Sequence, residues 1–144
     1  MSTRKIASLF LIVSLVGFVV GYVLTNSIQF KICTVTNVVT DARCINFYER
    51  IGDPIFYGMP ALALVFLILT FLPQAFSAWK KFAVWFIPIA TLIFIFYQGP
   101  SSGDYFSPYP EQVFQWISIL YVIVSVLIIF ISLRKNKKQS TLVK

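Results

Sequence analysis

The chain is patterned as four long apolar runs separated by polar segments. A helix that crosses a bilayer core of about 30 Å needs about 20 mostly apolar residues, at 1.5 Å per residue. No charged residue interrupts three of the runs, and the third becomes apolar at Phe82, after two lysines. The pattern therefore predicts four transmembrane helices, over about residues 6–24, 55–72, 79–97 and 113–133.

The composition agrees with this pattern. Of the 144 residues, 58% are hydrophobic and 12% charged, about half the charged fraction of a soluble domain. Disorder is excluded by the same balance, because disordered chains combine low hydrophobicity with high charge. We expect an all-α membrane protein, a four-transmembrane-helix bundle that forms a single integral membrane domain over residues 1–144.

Prolines predict several helix ends. Asp53-Pro54 supplies a side-chain acceptor and then a residue without an N–H, which suits the start of the second helix. Pro73 would end that helix, and Pro110 followed by Glu111 would begin the fourth. The six residues from Pro73 to Ala78 would make the second and third helices antiparallel neighbours.

The first apolar run is interpreted as a retained anchor. Its 19 residues exceed the 7–15 of a typical signal-peptide core, and no A-x-A-like cleavage site follows.

Charges predict the orientation. Nine of the 12 basic residues precede the first span, join spans two and three, or follow span four, and all five acids lie on the other side. Excess Lys and Arg mark the cytoplasmic face, so both termini and the tail 134–144 are expected there. The basic residues flank spans at three separate places, which argues against a nucleic-acid-binding face. The tail would add contact with anionic lipids of the bilayer.

The first outer loop, residues 25–54, is expected to carry structure. Its stretch from Ile28 to Ile32 alternates apolar and polar residues, as a half-buried strand does. Cys33 and Cys44 both fall in this loop, so we expect a structural disulfide that closes a small cap on the extracytoplasmic face, with two reduced thiols as the alternative.

The second outer loop, residues 98–112, is dense in turn-forming residues. Its Tyr105, Phe106 and Tyr109 suit an interfacial aromatic belt, and a docking patch is the alternative. The chain has no N-x-S/T sequon, and a bacterial inner membrane is the expected location.

Small residues predict how the helices pack, since they let helix backbones approach within a membrane. Two sets recur at a spacing of about 3.5 residues on the first and fourth spans, and Gly17 and Gly21 form a G-x-x-x-G motif. Packing within one chain is favoured, and a homo-oligomer is left open. The expected helix-packing residues are Ala7, Ser14, Gly17, Gly21, Ser118, Ser125 and Ser132.

The sequence offers little catalytic chemistry. Histidine is missing, no ionisable residue of the kind that proton-coupled transporters use lies within a span, and no hydrolase or phosphate-binding motif occurs. No catalytic residue, metal ligand or cofactor is therefore expected, and the chain is not expected to be an enzyme.

Two families of similar size serve as comparisons. Small multidrug transporters depend on a carboxylate in their first helix, which this chain does not have. Four helices with cysteines in an outer loop also resemble the quinone-linked disulfide-forming oxidases of bacterial membranes. Those oxidases carry a C-x-x-C pair and a second pair, whereas this chain has one C-x10-C pair, so a thiol–disulfide oxidoreductase is a remote alternative.

The expected function is non-catalytic and depends on protein contacts. An accessory subunit, assembly factor or immunity-like protein would recognise another membrane or periplasmic protein through the first outer loop. An oligomeric channel or transporter for a small solute or ion, lined by hydroxyl and aromatic side chains, is the alternative.

Overall fold

The computed structural model describes residues 3–34, 38–97 and 108–142, apart from the side chains of residues 38–41 and 136–142. All regular elements in these ranges are helices, and four of the helices are long and apolar enough to cross a membrane. They are α1 (Thr3–Thr25), α2 (Val38–Phe71), α3 (Phe76–Phe96) and α4 (Pro110–Leu142), with a short 3-10 helix at Pro73–Ala75 before α3.

The helices α1 and α2 form the most extensive pair in the bundle. Two glycines of α1 bring the backbones together: a Cβ at Gly21 would lie 2.6 Å from the backbone nitrogen of Phe56, and one at Gly17 would lie 2.9 Å from Met59. Gly52 of α2 likewise allows close approach to the end of α1, since a Cβ at Gly52 would lie 2.8 Å from the Thr25 nitrogen. The pair is therefore antiparallel and closely packed.

The helix α4 lies between α2 and α3. It contacts α2 closely, and it packs on α3 through aromatic rings, with Phe114 4.8 Å from Phe94 and Tyr121 5.4 Å from Phe86. Direct backbone contact between α2 and α3 is sparse in the described residues. The two helices are joined by a short connection, as predicted, and they touch through side chains such as Phe66 and Trp79, while α4 fills much of the space between their backbones.

The prediction that Asp53-Pro54 begins the second helix is wrong. The helix α2 begins at Val38, and Pro54 and Pro60 both lie inside it. Proline removes one hydrogen bond from a helix, and neighbouring helices compensate for such losses in membranes. The Asp53 carboxylate accepts a hydrogen bond from α1 and does not cap α2. Most of the predicted first outer loop is consequently helical.

The predicted strand between Ile28 and Ile32 is also wrong, because the chain forms consecutive turns there. The Phe30 N–H donates to the Asn26 carbonyl at 3.1 Å, and the Ile32 N–H donates to the Ser27 carbonyl at 2.9 Å. Lys31 adopts a positive φ of 58°, which reverses the chain. With no strand beside it, an isolated alternating segment has no ladder partner and closes its hydrogen bonds locally.

The remaining helix ends lie near their predicted positions. The helix α2 ends at Phe71, before Pro73, and α4 begins at Pro110. The helix α4 continues past the expected end of its span, through Arg134, to Leu142. The predicted tail is therefore helical over most of its length, and the Arg134 guanidinium lies 4.3 Å from the centre of the Phe130 ring.

Candidate functional site

The end of the bundle where α1 ends and α4 begins carries a disulfide, and we call it the disulfide end. Cys33, after the turns that follow α1, is bonded to Cys44 in the second turn of α2, with a Cα–Cα distance of 6.0 Å. The disulfide expected from the sequence is present. The Cys33 side chain is buried, and the bond ties the start of α2 to the end of α1.

We call residues 26–34 together with residues 42–54 of α2 the cap. Hydrogen bonds fix its first part, since the Ser27 carbonyl accepts from both the Ile32 and the Cys33 N–H groups. Ser27 itself is 1% exposed. Large apolar side chains of the cap remain exposed: Ile28, Phe30, Ile32, Phe47 and Ile51. The cap thus consists of the turns after α1 and the N-terminal part of α2, which the disulfide joins. It presents apolar side chains on a constrained backbone.

Side-chain hydrogen bonds join neighbouring helices at the disulfide end. The Thr25 hydroxyl donates to the Asp53 carboxylate at 3.2 Å, which links the last residue of α1 to α2. The Tyr97 hydroxyl donates to the Pro108 carbonyl at 2.7 Å and links the end of α3 to the start of α4.

Three carboxylates gather at the same end. Glu111, in the first turn of α4, lies close enough to Asp53 and Glu49 of α2 for the negative charges to interact. Arg50 lies on α2 between these two acids. The disulfide end of the bundle therefore combines carboxylates with the guanidinium groups of Arg43 and Arg50, and of these two only Arg50 lines the cleft described next.

An apolar cleft of about 690 Å³ opens below this charged cluster, between α2, α3 and α4. Its walls are side chains of α2 between Phe47 and Leu62, of α3 between Phe86 and Ile95, and of α4 between Ile117 and Tyr121. The volume lies within the range of about 300–1,000 Å³ typical of ligand pockets. The sparse contact between α2 and α3 is what leaves this space.

The cleft has a closed end and a charged end. The Phe66 ring of α2 meets the Trp79 ring of α3 at 5.1 Å, so the two helices converge away from the disulfide end. Gly58 faces the space from α2, since a Cβ there would meet only Phe94, at an ordinary 3.6 Å. Arg50 lines the opposite end of the cleft.

Hydroxyl groups collect at the closed end. Ser118 and Tyr121 line the cleft, and the Tyr121 hydroxyl lies near Trp79 and Ser125. The side-chain polar atoms of all four residues are buried and lack a hydrogen-bond partner among the described residues. Membrane-buried hydroxyls elsewhere in the chain bond to their own helix, as Ser14 does to the Phe10 carbonyl at 2.8 Å.

The structure places the expected helix-packing residues in different settings. Ala7, Ser14, Gly21 and Ser125 are buried, and Gly17 packs against Met59. Ser118 and Ser132 are partly buried, and Ser118 lines the cleft instead of a closed seam. The small residues of α1 thus lie on the side that packs against α2 of the same chain.

The expected interfacial aromatics are only partly described. Tyr109 lies just before α4 and is largely exposed. Tyr105 and Phe106 lie outside the described residues.

Sequence reasoning did not single out the cleft residues Arg50 and Gly58. The Asp53-Pro54 signal predicts a helix start after Arg50 and so predicts that Arg50 lies in a loop. Gly58 lies in an apolar run, where a glycine that lines a cleft has the same sequence pattern as a glycine in a packed seam.

Among the described residues, no group of three or more His, Cys, Asp and Glu side chains is arranged to hold a metal ion. Comparison of the chain with known protein families, curated proteins and solved structures gives no match. The cap and the cleft are therefore interpreted from their own geometry and chemistry.

Proposed function

We propose that the chain is a non-catalytic multi-pass membrane protein that acts through contacts with another protein, as an accessory subunit, assembly factor or immunity-like protein. In this proposal it resides in a bacterial inner membrane with both termini in the cytoplasm, and the cap faces outward. The partner is a membrane or periplasmic protein with an apolar surface at the membrane boundary.

The single observation that carries the proposal is the constrained apolar cap. The Cys33–Cys44 disulfide and the Thr25–Asp53 hydrogen bond fix a segment that a simple connection between two helices would not need. Phe30 is 46% exposed and Phe47 60% exposed on this segment. Because these apolar side chains are already held in a fixed arrangement, the cap loses less conformational entropy when a partner binds.

The test is recovery of a stoichiometric partner in mild detergent, with Phe30→Ser as the disrupting variant. Phe71→Ser is the matched control, because Phe71 is an exposed phenylalanine at the other end of α2. We expect Phe30→Ser to release the partner and Phe71→Ser to retain it. A chain that always purifies alone, or two variants that behave alike, would contradict the proposal.

The unpartnered hydroxyls at the closed end of the cleft favour a second candidate, an oligomeric channel or transporter for a small solute or ion. Ser118 and Ser125 would supply polar contacts along a path through the membrane. Reconstitution in liposomes separates the two candidates. Flux that disappears in Ser118→Leu or Ser125→Leu supports transport, and absence of flux in the native protein removes this candidate.

A further inference from the structure

We propose that the cleft binds one zwitterionic phospholipid from the leaflet at the disulfide end, with an acyl chain between α2 and α3 and the phosphate at Arg50. The lipid would be an integral ligand of the bundle. The protein partner is assigned to the cap, which shares Phe47, Arg50, Ile51 and Pro54 with the cleft lining. Phe30, the residue that tests the partner, does not line the cleft, so the two proposals have separate tests.

The depth of the cleft matches one leaflet. Arg50 and Leu62 are both lining residues, and twelve helical steps between them correspond to about 18 Å along α2. Half of a hydrocarbon core of about 30 Å is about 15 Å. A partner transmembrane helix would need a groove along the whole bundle, but the Phe66–Trp79 contact closes this one partway. An acyl chain fits the available length and a helix does not.

The lining chemistry also fits an acyl chain. Most of the lining side chains are apolar, and the hydroxyl of Thr91 is already bonded to the Ile87 carbonyl at 2.8 Å. The unpartnered hydroxyls of Ser118 and Tyr121 lie at the closed end. Apolar side chains lining a cleft this deep gain dispersion contacts when a hydrocarbon chain fills it.

The charges at the open end select the headgroup. Arg50 lines the cleft, and a guanidinium forms strong bonds to phosphate oxygens. The neighbouring carboxylates of Glu49, Asp53 and Glu111 would repel an anionic headgroup and attract an ammonium group. Phosphatidylethanolamine carries both required charges, and its primary ammonium can donate hydrogen bonds to carboxylates, which a choline group cannot.

The experiment uses the full chain in nanodiscs of phosphatidylethanolamine, phosphatidylcholine and phosphatidylglycerol, with retained lipid counted by native mass spectrometry. We expect about one retained phosphatidylethanolamine per chain. Arg50→Gln should weaken its retention about tenfold, the effect of losing one charge-assisted contact. Arg43→Gln is the matched control, because Arg43 is an exposed arginine of α2 outside the cleft, and it should change nothing.

A second pair of variants tests the acyl-chain position. Gly58→Leu projects a side chain into the cleft and should abolish retention, whereas Gly58→Ala adds only a methyl group at ordinary contact distance and should preserve it. A benzophenone side chain at Ala90, which lines the cleft, should cross-link the lipid. The same group at the exposed Leu92, outside the cleft lining, faces bulk lipid and should cross-link the three lipids in proportion to their abundance, whereas Ala90 should favour phosphatidylethanolamine. This measurement leaves the charged residues intact.

Several results would overturn the proposal. Preferential retention of phosphatidylglycerol would contradict the assigned headgroup. Equal retention of all three lipids, unaffected by Arg50→Gln, would identify adventitious lipid. A protein cross-linked at Ala90 would mean that a partner or a second copy occupies the cleft. The Phe30→Ser variant tests the cap partner and leaves the cleft lining unchanged, so the two proposals can fail independently.

Discussion

Single glycines determine how closely α1 approaches α2. At Gly21 the nearest atoms to an added Cβ belong to the Phe56 backbone, which cannot rotate away as the end of a side chain can. At Gly17 the nearest atoms belong to the flexible Met59 side chain. The tolerance of these positions to substitution should therefore differ, although both belong to one G-x-x-x-G motif.

We predict that Gly21→Ala destabilises the protein by about 1–3 kcal/mol, because the methyl group must push α1 away from α2. Gly58→Ala is the control. Both variants gain the same helix propensity of about 1 kcal/mol, but only the methyl group at residue 21 meets the backbone of another helix. Unfolding in a denaturing detergent series measures the difference. Equal midpoints for the two variants would show that the helices are not as close at Gly21 as the structure has them.

At the scale of elements, the cap depends on a covalent link. The turns after α1 and the first turns of α2 join through Cys33–Cys44, which lie 11 residues apart. Among the described residues, the Thr25–Asp53 hydrogen bond and the contact of Gly52 with the end of α1 also join the two segments. The cap is therefore expected to open more readily than the spans when the disulfide is removed.

We predict that replacing Cys33 and Cys44 with serine lowers the free energy of opening the cap by up to about 3 kcal/mol, the loop-closure contribution for a ring of this size. Hydrogen exchange of the amides in residues 42–52 should accelerate accordingly. Amides of residues 82–94 in α3 serve as the internal control and should keep their protection. Uniform acceleration in both segments would mean that the bond stabilises the whole bundle.

The elements differ in how well the sequence predicts them. The four spans were predictable because an uninterrupted apolar run of this length has few other stable structures. The start of α2 was not, since Asp53-Pro54 has the local chemistry of a helix start and only the tertiary contact with Thr25 shows its other use. The cleft was not predictable either, because it results from α4 lying between α2 and α3, and helix pairing in lipid leaves a weak signal in sequence.

At the scale of the whole molecule, the charge distribution predicts the orientation of the bundle in the membrane. The disulfide end holds Glu49, Asp53 and Glu111, whereas Lys80 and Lys81 of α3 and Arg134 and Lys135 of α4 belong to the opposite end. Lys and Arg near helix ends resist translocation, so the disulfide end should be outside, where cysteines oxidise.

We predict that a green fluorescent protein fused after Lys144 fluoresces and that alkaline phosphatase fused there is inactive, because the proposed orientation puts this terminus in the cytoplasm. The same reporters inserted after Gly103, between α3 and α4, should give the opposite result. Phosphatase activity at the C-terminus would show that the orientation is reversed. The proposed cap partner and the proposed lipid would then lie at the cytoplasmic face.

The position of α4 has a consequence for biogenesis. Chains are synthesised from the N-terminus, so α1, α2 and α3 leave the ribosome before the helix that lies between the last two. Until α4 is inserted, α2 and α3 lack the contacts that α4 makes with both of them, and direct backbone contact between the two is sparse among the described residues. Nascent chains that stop before Pro110 should therefore be preferred substrates of membrane quality-control proteases, and the arrival of the final helix should mark the step at which the protein becomes long-lived.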